Sequence, residues 1–513
     1  MSPTVKNNKS KAFSNSIRTH PRVDEYWPTH TNASTCVWAV HDQLLFRART
    51  YNARRAAIDN TLSKFGVTTK PLTTLFSGQL KELDQRLDVQ VVQLTTRRAK
   101  PLAARAVFSL TRSLRTGVLK DLPRDVSPNH VLVPAWNGDA CPYGPPREYR
   151  GGASLPPLPP PAQPHGPFKP TITLIDSGYI GSLYRSEHNW DPDPLSQLLG
   201  HAQPDPTQAW WPTSAGTATG TTPSSSWARC PLDVPDARYP AAPLRLDALA
   251  GHANFVAGLL AYRSYLPTLD IWNHNGSYVA DMTLAHVTTE IAVLRSLLES
   301  QQQLHSQKMQ MPQVIVVTFA FPPFESVLSS SWDSTMSQLR TYNANFVLVA
   351  PVGNQGTSQR RYPAAMATAD PNPTYKTGKS SANISYPNVI GVGSLDPTGA
   401  KASTFTNKRA SSDPWVTCSA IGEGVASSFL EVNLLPEDPS WPGIPTGGHD
   451  FGSYNSLALW QGTCFAAPKV AAAIANELTS PTDSALNAWQ AAVTKHISAP
   501  PDPAVGLMFS DLG

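Results

Sequence analysis

Four short segments carry the side chains that acyl transfer would need: Thr171 to Gly178 (TITLIDSG), Gly251 to Ala261 (GHANFVAGLLA), Phe346 to Gly356 (FVLVAPVGNQG) and Gln461 to Ala472 (QGTCFAAPKVAA). Attack on a carbonyl requires a nucleophile, a base in hydrogen-bond reach of it, a carboxylate that orients the base, and donors for the oxyanion. Cys464, His252, Asp176 and Asn354 are of those four types. Taken singly, each has a plainer use. An aspartate closing a strand caps or turns the chain, and a histidine opening an apolar helix packs structurally. An asparagine between glycines takes a left-handed turn, and a cysteine before FAAP packs as a small hydrophobe.

The set and its order decide between these uses. Asp176, His252, Asn354 and Cys464 follow one another along the chain, and Cys464 opens a helix with proline as its fifth residue. This pattern resembles the subtilisin-like protease family, the subtilases. LIDSG looks like the family's aspartate motif, GHANFVAGLLA like its histidine helix, VAPVGNQG like its oxyanion segment and QGTCFAAPKVA like its nucleophile motif. The resemblance implies that Asp176 orients the base, His252 is general base and acid, Asn354 is the side-chain oxyanion donor and position 464 is the nucleophile. QVIVVTFAF fills the place of the strand that pairs with an extended peptide. Phe319, Ala320, Phe321 and Gly353 are therefore the expected substrate-binding residues. RYPAA, YPNVIGVGS, ASTFTN and WVTCSAIGEG match the family's connecting pieces. The implied activity is endopeptidase cleavage of extended polypeptide, with no cofactor; no cluster of metal ligands is legible.

The sequence departs from the family where cysteine stands in place of serine at 464. Sulfur is larger than oxygen and ionises near about pH 8.5, lower beside a histidine and a helix N-terminus. Acylation of Cys464 is chemically reasonable, yet a cleft shaped for oxygen misplaces sulfur, and ~1 Å of misplacement costs on the order of a hundredfold in rate. A natural thiol protease, a protein that has lost proteolysis, and a cysteine substituted for a native serine all stay open. The rival class is a non-catalytic peptide-binding pseudoprotease whose cleft is occupied by the chain's own N-terminal segment. Ala253 and Asn254 stand where the family has glycine and threonine, and a long insertion after Asp176 holds Trp210, Trp211 and Trp227.

The elements that must position these residues form an alternation. Apolar runs TITLID, LDIWN, QVIVVTF, FVLVAP and NVIGVGS alternate with helical patterns HANFVAGLLAYRSY, ADMTLAHVTTEIAVLRSLLES and STMSQLRTYNA. Such alternation predicts α/β architecture, a parallel sheet with helices on both faces, and near-continuous apolar runs suit strands buried on both sides. Ahead of it, VWAVHDQLLFRARTYNARRAAIDNTLSKFG, LTTLFSGQLKELDQRL and AARAVFSLTRSLRTGVL show helical spacing, with VQVVQL as a strand between them. The expected organisation is a mobile tail over 1–34, a smaller, mainly helical accessory or regulatory domain over 35–140, a Pro-rich linker over 141–169 and the peptidase domain over 170–513. A prodomain is the minority reading of 35–140.

Composition excludes other classes. The 513 residues hold 41 basic against 37 acidic side chains, a net +4, too small a surplus for a nucleic-acid footprint. Forty-nine prolines against 31 glycines imply stiffened connections. Five cysteines (Cys36, Cys141, Cys230, Cys418 and Cys464) lack CxxC spacing and read as free thiols. The basic, polar start has no apolar segment behind it, and no apolar run is long enough to span a membrane. A cytoplasmic protein is expected. Its partners would be protein or peptide substrate and its own N-terminal domain, with no nucleic acid and no membrane.

Overall fold

The computed structural model describes residues 23–26, 37–72, 79–96, 102–134, 146–149, 168, 170–176, 251–263, 268–272, 288–306, 308, 311, 313–367, 386–409, 413–429, 433–434, 449–450, 457–497, 500–510 and 512. The Trp-rich insertion, most of the Pro-rich linker and most of the N-terminal tail lie outside them.

The N-terminal unit runs β1 (Val23–Tyr26), β2 (Val37–Arg47), α1 (Ala48–Ser63), β3 (Val67–Pro71), α2 (Gln79–Arg86), β4 (Val89–Thr96), α3 (Ala106–Thr116) and β5 (Val126–Pro134). Its strands pair antiparallel in the order β5-β2-β4-β3, and β1 pairs with the start of β2. Each of the three stretches of helical spacing contains a helix, but the helices alternate with strands, so the unit is α+β where mainly helical structure was expected. Ile58 and Leu62 of α1 and Phe108 and Leu114 of α3 pack on Phe46, Val92 and Leu94 of the sheet.

The helical reading of Val37 onward fails for a physical reason. A two-residue alternation marks a strand only while its phase is kept. The pairing of β2 with β5 shifts register between Ala39 and Leu44, and a bulge of this kind breaks the phase. Buried residues then fall at helix-like spacings.

The C-terminal unit follows: β6 (Arg147–Glu148), β7 (Thr171–Ile175), α4 (His252–Arg263), β8 (Thr268–Trp272), β9 (Thr288–Thr289), α5 (Glu290–Ser306), β10 (Val314–Val317), β11 (Phe319–Ala320), α6 (Ser330–Tyr342), β12 (Val347–Pro351), β13 (Val389–Leu395), β14 (Cys418–Ile421), β15 (Val425–Ser428), β16 (Asn433–Leu434), β17 (His449–Asp450), β18 (Leu457–Trp460), α7 (Thr463–Asn476), α8 (Ala485–His496) and β19 (Leu507–Phe509). Seven strands form a wholly parallel sheet, β19-β14-β13-β12-β10-β7-β8. Successive side chains of one strand point to opposite faces. Val314, Val316, Val347 and Val349 accordingly join α4, α7 and α8 in one core, while Ile315, Val317, Leu348 and Ala350 join α5 and α6 in the other. This is the expected α/β sheet with helices on both faces. Among the described residues no helix is long and apolar enough to cross a membrane.

The two units share a sheet. β5 of the N-terminal unit lies antiparallel between β11 (Phe319 opposite Pro134, Ala320 opposite Val133) and β9 (Thr289 opposite Val131, Thr288 opposite Leu132). Beside this junction Arg295 of α5 makes two hydrogen bonds, 2.7 and 2.6 Å, to the Asp84 carboxylate of α2, with both side chains buried. Arg124 pairs with Asp333 of α6 at 2.7 Å.

Candidate active site

Asp176 follows the last residue of β7, at the carboxyl edge of the parallel sheet, where open α/β sheets build their sites. The corner after β10 is fastened to the same place: Thr318 N–H and its hydroxyl both donate to Ile175 O, at 3.1 and 3.2 Å. His252 opens α4. The residue before it, Gly251, has φ +77°, and a Cβ there would lie 2.5 Å from the Phe429 ring, so a side chain at 251 would displace the start of the histidine helix. α4 is buried along its described length because the sheet, α7 and β15 enclose it. Ser427 and Ser428 of β15 donate their hydroxyls to Phe255 O and Asn254 O, at 2.7 and 3.0 Å.

These elements bring Asp176 and His252 together. Nδ1 of His252 lies 2.7 Å from Asp176 Oδ1, and both side chains are 0% exposed. With the proton on Nδ1, the imidazole donates to the carboxylate and keeps the Nε2 lone pair available. Nε2 is buried and has no hydrogen-bond partner among the described residues. Phe465 and Trp460 hold the ring's faces and edge, with centroids 5.3 and 6.0 Å away.

Asn354 sits in the loop after β12. Its Oδ1 accepts the Thr463 backbone N–H at 2.9 Å, while the Gly353 N–H donates to Thr463 Oγ1 at 3.2 Å. The amide is thereby oriented, and Nδ2, buried, has no hydrogen-bond partner among the described residues. Cys464 is the second residue of α7, between Thr463, which binds Asn354, and Phe465, which lies against His252. The first turn of a helix directs its backbone N–H groups outward along the axis, a setting suited to developing negative charge.

Two expectations need correction or restatement. Cys464 is disulfide-bonded, with a partner outside the described residues, whereas all five cysteines read as free thiols from sequence; spacing cannot reveal pairing between distant cysteines. Cys418, in β14, is a free buried thiol, and burial pushes its ionisation up. The backbone edge of Phe319 and Ala320, expected to meet substrate, is paired with β5. Phe321 bridges to Tyr362 instead.

Sequence reasoning missed Thr463 and the aromatic pair Trp460 and Phe465. Thr463 and Phe465 were legible as the neighbours of Cys464. The place of Trp460 beside His252 becomes visible only when the elements pack.

The profile of the subtilase family matches residues 232–497, slightly more than half of the chain, and the chain belongs to that family. Subtilases are serine-type endopeptidases as a class. The match begins after Asp176. No curated protein matches the chain by sequence. Among solved structures, the chain is similar to fervidolysin from Fervidobacterium pennivorans, described as a keratinolytic enzyme related to subtilisin, at 13% identity and TM-score 0.44; the likeness covers 92% of this chain and 61% of fervidolysin. It is also similar to a lanthipeptide protease at 14% identity and TM-score 0.35, covering 67% of this chain and 86% of that one.

Proposed function

We propose that the chain is an endopeptidase acting on extended polypeptide, with His252 as general base and acid, Asp176 as its orienting carboxylate, Asn354 Nδ2 and the backbone N–H of 464 as oxyanion donors, and position 464 as nucleophile. The observation that carries this reading is the 2.7 Å contact between Asp176 and His252, with Nε2 left without a hydrogen-bond partner among the described residues. The nucleophile attacks the scissile carbonyl carbon as Nε2 takes its proton. The tetrahedral oxyanion is held by the two donors, and the leaving amine departs with the proton from Nε2.

A cysteine in a disulfide has no thiolate to offer, so this route requires exchange with a reducing thiol, which releases Cys464 Sγ. Phe319, Ala320, Phe321 and Gly353 would receive the substrate backbone, and β5 pairs with the first two of them, so the N-terminal unit would be the intramolecular partner that keeps the cleft filled. The disulfide and the filled edge favour a second reading, a peptide-binding pseudoprotease. The two separate on a proteome-derived peptide mixture, with new N-termini read by mass spectrometry. The chain with and without reductant is compared with Cys464→Ser and His252→Ala. Cutting by the reduced and serine forms, lost with His252, establishes the protease. Cutting by the serine form alone marks Cys464 as a disabling residue, and silence from every form supports the pseudoprotease.

A further inference from the structure

The amide of Asn407 is wrapped by the loop that carries Asn354. Asn407 is 0% exposed. Its Oδ1 accepts two backbone N–H groups, from Gln355 and Thr357, each at 3.1 Å. Its Nδ2 donates to Val352 O at 2.8 Å and to Gln355 Oε1 at 3.0 Å, and its own N–H donates to Gly353 O at 3.0 Å. Flanking residues continue the seam: Gly356 N–H donates to Phe405 O at 2.7 Å and Lys408 N–H to Thr357 O at 2.9 Å. Gly353 takes φ +94°, and a Cβ on it would come within 2.8 Å of Asn407 Nδ2. The loop backbone is therefore moulded on one side chain.

An asparagine amide has two acceptor lone pairs and two donor protons, and here all four are used, on Val352, Gln355 and Thr357 around Asn354. Leaving such buried groups unsatisfied is costly, so the loop keeps to this arrangement. Asn354 itself is held from its other side by Thr463. Its Nδ2 can then meet a developing oxyanion only if the backbone between Val352 and Thr357 keeps its place.

We infer that Asn407 is a positioning residue that sets Asn354 for oxyanion stabilisation. This rests on the reading of Asn354 as oxyanion donor. It does not touch substrate, so its effect must travel through Asn354.

The test uses the full chain in the Cys464→Ser form with a peptide substrate. Asn407→Ala should lower kcat by about 10- to 100-fold, the effect of a donor displaced by ~1 Å, with KM within about twofold. Asn407→Asp keeps the two accepted N–H bonds and loses the two donated ones, and should fall between. In an Asn354→Ala background, Asn407→Ala should cost less than about twofold, because coupled residues are non-additive. Equal loss in both backgrounds, or no loss at all, overturns the inference. If the serine form cuts no peptide, the oxyanion reading of Asn354 fails instead. Hydrogen exchange of the intact chain then still decides the positioning role. Exchange rising at 352–358 in Asn407→Ala, with β13 and α7 unchanged, keeps it, and unchanged exchange at 352–358 overturns it.

Discussion

At the scale of single residues, the site depends on where protons can sit. The His252 ring is fixed between a carboxylate and two aromatic neighbours, which leaves one nitrogen for chemistry. Asp176→Asn in the serine form would favour the wrong imidazole tautomer and should lower kcat by about 10⁴-fold while binding persists; steady-state kinetics on one peptide measures this. The thiols are distinguishable by the same logic. Cys418 is buried and its ionisation is pushed up, so iodoacetamide on the native chain at neutral pH should leave it unmodified. Cys464 should label only after reduction, and a His252→Ala variant should slow that labelling. Tryptic mapping of both peptides gives the answer.

At the scale of elements, β5 is the pivot, because one strand completes the N-terminal sheet and fills the edge offered by β9 and β11. Leu132 is 0% exposed in the core that contains Ile175, Phe319 and Phe321. Leu132→Asp puts a charge there without a partner, which a core tolerates poorly. The variant should release β5 and raise the rate at which Cys464→Ser cleaves added peptide; an unchanged rate would mean that β5 does not obstruct the cleft. The junction of β1 with β2 has its own pH dependence. The hydrogen bond that His41 Nδ1 donates to Asp24 Oδ1, 3.0 Å away, outweighs burial and raises the His41 ionisation above 6.5. A raised folded value stabilises fully below the unfolded one and fades as pH rises through the folded one. As pH rises through the raised His41 ionisation, the chain should lose more stability than His41→Gln does, read from urea midpoints.

At the scale of the whole molecule, the two units should unfold together. Their common sheet and the buried Arg295 to Asp84 pair leave little that either can lose alone. Arg295→Ala strands a buried carboxylate, a change that destabilises by about 3–5 kcal/mol. Calorimetry should show one transition moved down as a whole, and two separate transitions would show that the units are independent.

The sequence by itself determined the alternating elements of the peptidase unit, and it singled out the residues proposed for the chemistry. Asp176, His252 and Asn354 lie at the ends of near-continuous apolar runs, and each run is buried on both sides, so local pattern and tertiary role agree. Tertiary structure alone decided three things. The bulge in β2 hid a strand behind helix-like spacing. The pairing of Cys464 joins residues that spacing cannot connect. The seating of β5 between β9 and β11, like the wrapping of the 352–357 loop around Asn407, depends on backbone groups that every residue carries. Hydrogen bonds of that kind leave no signature in residue type, and only the folded chain assigns them.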